Sequence, residues 1–178
     1  MKKILLLLFF VISTFIFSEW KVGYNIGKTT AVDYNDEELS VWVYKDRAEY
    51  IHFKLNPEEL KKVRPTFNTK ELNRLPFVDK VKAYLKIDSN DEIIMNVYMN
   101  VYGVSNRDKE VIISLDATDG KESTVDEIEY EKIKKIGEQM TKGKQLKVTF
   151  VKGKNIVVKT YGLKAFKERF EEAKKKNN

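Results

Sequence analysis

Three patterns of hydrophobic and polar positions run along this chain, and each predicts a different element. The commonest is strict alternation. In LSVWVY, Leu39, Val41 and Val43 point one way while Ser40, Trp42 and Tyr44 point the other, and EYIHFKL repeats the pattern with Ile51, Phe53 and Leu55 on one face. A period of two is the signature of a strand buried on one side. The polar break KDRA between the two runs predicts a hairpin with a four-residue connection. Trp20 to Tyr24 is a weaker strand candidate ahead of them. Alternation returns at Val81, Ala83, Leu85 and Ile87, then over Ile93, Met95, Val97, Met99 and Val101, the longest such run, and again at Val111, Ile113 and Leu115. Three such strands in succession predict a meander. LKVTFVKGKNIVVKTYG reads as a further hairpin around Gly153.

The second pattern has a helical period. Ser123 or Thr124 can cap a helix in which Val125, Ile128, Ile133, Ile136 and Met140 approximate one face and which Gly143 stops. The final helix carries Leu163, Phe166, Phe170 and Ala173 at spacings of 3, 4 and 3, a stripe that needs a sheet face to cover. Asn56, Pro57, Glu58 and Glu59 supply a cap, a proline at the first helical position and an acidic first turn, so a short helical turn runs through Val63. Asn68 or Thr69 opens another, which Pro76 ends. Together these predict an α+β fold: a mainly antiparallel, β-sandwich-like domain of about seven or eight strands with two helices, the last at the C-terminus.

The third pattern is an unbroken apolar run of fourteen residues from Ile4 to Phe17, preceded by Lys2 and Lys3 and followed by Ser18 and Glu19. A basic start, a short apolar stretch and a small residue before polar sequence define a secretory signal peptide, here residues 1–18 with cleavage after Ser18. The rival is an uncleaved anchor, which normally needs about 20 apolar residues to span the bilayer. The expectation is one exported domain over residues 19–176 with a short basic C-terminal tail, periplasmic or extracellular, and no transmembrane span after cleavage. The formal charge of +6 falls to +4 on losing Lys2 and Lys3, and three of those charges are Lys174, Lys175 and Lys176. The tail reads as a solvated, frayed helix end, with cations suited to the helix dipole and no nucleic-acid partner implied.

Composition narrows the chemistry. With no Cys, disulfides, thiolate catalysis, iron–sulfur clusters and lipid attachment at the signal are excluded. The only His, His52, shares a strand face with Tyr50 and Lys54 and reads as a surface or hydrogen-bonded residue. No G-x-S-x-G, S-x-x-K, G-x-x-x-x-G-K-[ST] or G-x-G-x-x-G occurs. The acidic clusters DYNDEE (Asp33 to Glu38) and DSNDE (Asp88 to Glu92) are rich in oxygen ligands, yet the second departs from the calcium-loop pattern at Ile93 and Met99, and both read as solvated turns. No catalytic residue, metal site or cofactor is expected. One surface stands out, the row Asn96, Tyr98, Asn100 and Tyr102. Tyr and Asn combine rigid contact area with adaptable hydrogen bonding, as binding surfaces do; the alternative is that both tyrosines pack beneath a helix.

The segments AYLKID and ISLDAT, the helix ending IGEQMTKGKQLKVTF, the hairpin after it and the closing YGLKAFKERFEEA together resemble exported bacterial domains of the invasion-associated locus B type and the periplasmic accessory proteins of type VI secretion. Lys86 and Asp88 match a central basic–acidic pair of that group, and Gly162, Leu163, Ala165 and Phe166 its final helix; the cysteines common near its ends are missing. The resemblance implies a β-sandwich with a non-enzymatic envelope role. The expected function is an exported cell-envelope binding or accessory protein whose partner is an envelope protein or surface ligand; the alternative is an envelope hydrolase that uses carboxylates.

Overall fold

In a computed structural model of the chain, residues 20–35, 37–63, 79–100, 111–115 and 127–177 are described, with backbone alone at 57, 60, 79–80, 96–100 and 111–115. Among the described residues, nine strands form one antiparallel sheet: β1 (Trp20–Ile26), β2 (Thr29–Tyr34), β3 (Leu39–Tyr44), β4 (Arg47–Leu55), β5 (Asp79–Ile87), β6 (Ile93–Asn100), β7 (Val111–Leu115), β8 (Gln145–Lys152) and β9 (Asn155–Gly162). Their order across the sheet is β1-β2-β3-β4-β7-β6-β5-β8-β9, so the predicted meander is present as β5-β6-β7. Three helices accompany it: α1 (Pro57–Val63), α2 (Glu127–Met140) and α3 (Phe166–Lys176).

The sheet curls until its halves face one another. Phe53 of β4 meets Phe150 of β8 at 5.4 Å, and Tyr34 of β2 meets Tyr161 of β9 at 5.4 Å, although each pair is several strands apart within the sheet. The two edges converge, since the Trp20 indole nitrogen donates to the Gly162 carbonyl at 2.7 Å. The α+β, sandwich-like architecture expected from alternation is therefore realised by a single folded-over sheet. Its inner face carries the alternating residues of the runs, Leu39, Val41, Val43, Ile51, Phe53, Leu55, Val81, Ala83, Leu85 and Ile87, all buried.

Several local predictions hold in detail. α1 opens with a reciprocal capping box, Glu59 N donating to Asn56 Oδ1 at 2.9 Å and Asn56 N to Glu59 Oε2 at 3.0 Å. Leu163, Phe166, Phe170 and Ala173 are all buried, so α3 is part of the core. Met95 is buried on β6 while Ile94 is half exposed, as the alternation requires.

Other expectations are corrected. Ile128 is 70% exposed, because five residues before Ile133 places it some 140° round α2 from that buried residue and off the stripe of Ile133, Ile136 and Met140. The β3–β4 connection has two residues, Lys45 and Asp46, with Lys45 at φ 53°; Arg47 and Ala48 of KDRA already pair with Tyr44 and Val43, and a bulge opposite Trp42 and Val43 leaves Glu49 as the extra residue. The strand β2 was not anticipated at all. Nor is the chain end frayed: α3 continues through Lys176, and the Asn177 side chain accepts from Thr30 Oγ1 at 2.6 Å and donates to the Val43 carbonyl at 2.8 Å. Asn177→Ala should accordingly cost about 1–2 kcal/mol in urea unfolding, since it takes the acceptor from the proton of the fully buried Thr30 hydroxyl, which keeps only the bond it accepts from Asn25. The predicted turn from Asn68 to Pro76 and the cap at Ser123 or Thr124 lie outside the described residues.

Candidate binding site

The outer face of the β1–β4 half carries the side chains that alternation turns away from the core. The cross-strand register sets them in rows. One row pairs Lys21 with Asp33, Asp33 with Ser40, Ser40 with His52 and His52 with Ser114. Beside it, Ala31 pairs with Trp42 and Trp42 with Tyr50. On the other side, Lys54 N donates to the Glu38 carbonyl at 3.0 Å.

These rows enclose a cavity of about 150 Å³ lined by Tyr24, Ala31, Asp33, Glu37, Ser40, Trp42, His52 and Lys54. The space is made by small residues. A bulge in β1 sets Gly23 and Tyr24 opposite Ala31, and a Cβ at Gly23 would collide with Asp33 Oδ2. The aromatic wall is ordered, with Trp42 stacked on Tyr50 at 5.4 Å and 26° and His52 against Tyr50 at 5.2 Å. The indole nitrogen of Trp42 is buried and has no hydrogen-bond partner among the described residues.

Asp33 is the chemical centre of this pocket. It is only 2% exposed, and its Oδ1 accepts from Ser40 Oγ at 2.6 Å, its one side-chain hydrogen bond among the described residues. Burial raises its carboxyl above the ordinary carboxylate range; the Ser40 bond opposes this, Glu37 adds to it and Lys21 opposes it. The expectation that DYNDEE is a solvated turn holds only for its later part. Asn35 and Glu37 do take positive φ in the β2–β3 turn, whereas Asp33 lies in β2 and is desolvated.

An Asp, a Ser and a His in one row invite comparison with a nucleophilic triad, and the order of contacts is wrong for one. A triad hydroxyl gives its proton to the imidazole, which the acid orients from its far side. Here the hydroxyl stands between, and Ser40 gives its proton to the carboxylate. Asp33 and His52 are two strands apart, roughly 10 Å.

The second acidic cluster is structural. Asp88 Oδ2 accepts from Lys144 N at 2.9 Å and Oδ1 from Gln145 N at 3.0 Å, tying the β5–β6 turn to the start of β8. Asp88→Ala should lower stability by about 1–3 kcal/mol in thermal unfolding, with no response to added calcium. Among the described residues no group of three or more His, Asp or Glu side chains is placed to hold a metal ion, and no helix is long and apolar enough to cross a membrane.

Of the residues singled out from sequence, Asn96, Tyr98 and Asn100 belong to β6 by backbone, in register with Lys82, Lys80 and Ile112 respectively, and Tyr102 lies outside the described residues. Tyr98 also pairs with Ser114, so the row through Asp33, Ser40 and His52 extends in register to that strand. The pocket itself was missed. Its signal was available in part, since the alternation already put Ser40 and Trp42 on one side of β3 and Tyr50, His52 and Lys54 on one side of β4; pairing the two strands joins them. No family model, curated protein or solved structure matches the chain.

Proposed function

We propose that the chain is an exported cell-envelope protein that binds a ligand without transforming it, and that the outer-face pocket of β1–β4 is its site. The observation that carries this is the combination of a desolvated Asp33–Ser40 pair with a wall of Trp42, Tyr24 and His52 in one small cavity. Aromatic rings supply rigid contact area, and a few convergent polar groups supply orientation. Export rests on the signal-like first 18 residues. β1 begins at Trp20, two residues past the proposed cleavage position, so cleavage leaves every described element whole. Mass spectrometry of protein recovered from the producing cell should give Glu19 as the N-terminus; intact Met1 in a membrane fraction would count against it. The likeness to the locus B and type VI accessory domains is part of the same proposal.

The carboxylate hydrolase is kept as a second reading because Asp33 and Glu37 line one pocket in unlike surroundings, one buried and one exposed. Retention of the mature protein on isolated envelope material separates the two. Trp42→Ala and Ala31→Leu should abolish retention while the circular dichroism stays native, and the bound material should be recovered chemically unchanged. Release of cleaved products that stops in Glu37→Gln would favour the hydrolase.

A further inference from the structure

The pocket's own chemistry says more about what it takes. Resting on the reading of this cavity as the ligand site, we propose that it binds an ammonium group, which sits over Ala31 between the Asp33 carboxylate and the Trp42 indole. Asp33 brings a carboxylate to the cavity wall while only 2% of the residue is exposed, and among the described residues its side-chain hydrogen bond is the one Ser40 gives to Oδ1. A buried carboxylate left in that condition is stabilised most by a cation, because hydroxyl partners return less of the lost hydration than an opposite charge does. The aromatic side of the pocket fits the same guest. Trp42 stacks on Tyr50, and Tyr24, in the β1 bulge opposite Ala31, also lines the cavity. Rings around an acidic group are the recurring way to hold primary and quaternary ammonium ions.

Two lysines stand near this position. Lys54 lines the same cavity from the row beyond His52, where its backbone bonds to Glu38 and where Glu37 also lines it. Lys21, paired with Asp33 from β1, is exposed to solvent. Among the described residues, the side-chain hydrogen bond that Asp33 accepts comes from Ser40. Because the carboxylate must be ionised to hold the cation, binding and deprotonation of Asp33 reinforce one another.

Choline and its uncharged carbon isostere, 3,3-dimethylbutan-1-ol, test the assignment because they share a shape and differ in charge. The chain has two tryptophans, and Trp20 is buried in the core, so a change in emission on adding choline is assigned to Trp42 when Trp42→Phe removes it. Choline should shift the emission of the mature protein, Trp42→Phe should remove that shift, and the isostere should bind at least tenfold more weakly, about 1.4 kcal/mol. Asp33→Asn, which keeps an acceptor for Ser40, should lose the same factor; Ala31→Leu, which fills the floor, should lose binding without touching the charge. Free choline and vesicles bearing choline headgroups are separate arms, and a response to either supports the ammonium site while assigning its source. Equal affinity for the isostere, or choline binding unchanged by Asp33→Asn, would overturn the inference yet leave the pocket as a binding site for a neutral ligand. No emission change with choline in protein still retained through Trp42 on envelope material would overturn it in the same way.

Discussion

Phe166→Ala is expected to destabilise the protein by about 3–5 kcal/mol, the range for truncating a fully buried aromatic ring. Phe166 opens α3 and is fully buried, with its ring 4.6 Å from that of Trp20 and 5.6 Å from that of Phe170. Trp20 in turn packs on Tyr34 at 5.1 Å and bonds to Gly162, so this one ring supports the closure where the first and last strands converge. The ion pairs along the helix contribute far less. Arg169 with Glu172 and Lys174 with Glu171 are surface contacts at 3.0 and 2.9 Å, each worth a few tenths of a kcal/mol. A chain ending at Tyr161 should therefore lose its cooperative thermal transition. An unchanged midpoint would show that α3 is an independent arm and that the edges of the sheet close without it.

Most of this architecture was legible because burial on one face imposes alternation, and alternation survives in the sequence wherever the outer face is polar. β5 from Val81 and β8 as far as Val151 obey that rule residue by residue, while the buried Ser40 interrupts it in β3 and the bulge at Glu49 interrupts it in β4. β2 does not. In TTAVDY the polar Thr30 and Asp33 are both buried, Thr30 by its bonds to Asn25 and Asn177 and Asp33 by its bond to Ser40, so hydrophobicity and burial part company over the strand that carries the pocket's acid. The missing strand also hid the site. Ser40, Trp42 and His52 were each visible as outward residues, but their meeting depends on pairings between separate strands and on Ala31 and Gly23 being small, which no local pattern records. Single-sequence periodicity sees one strand at a time. A pocket on a sheet face is a property of several.

Ser40→Ala provides the second large effect and a direct measure of the site's electrostatics. At neutral pH the variant should lose about 3 kcal/mol, because it takes from a buried carboxylate the side-chain donor that Ser40 supplies. The loss should shrink toward about 1 kcal/mol as the pH falls, when a protonated Asp33 no longer needs a donor. The direction follows from the raised carboxyl. A carboxyl whose affinity for protons is greater in the folded state contributes most stability below its unfolded titration range, and that contribution is lost as pH rises from there through the elevated folded value. Ser40 moderates the decline by bonding to the charged form, so its removal steepens it. Asp33→Asn, with no proton to lose, should flatten that part of the profile. Urea midpoints of the three proteins between the ordinary carboxylate range and neutrality measure the difference directly. An equal loss for Ser40→Ala at both ends would mean that Asp33 stays protonated in the folded protein, and a protonated acid would also have no charge to offer an ammonium ligand.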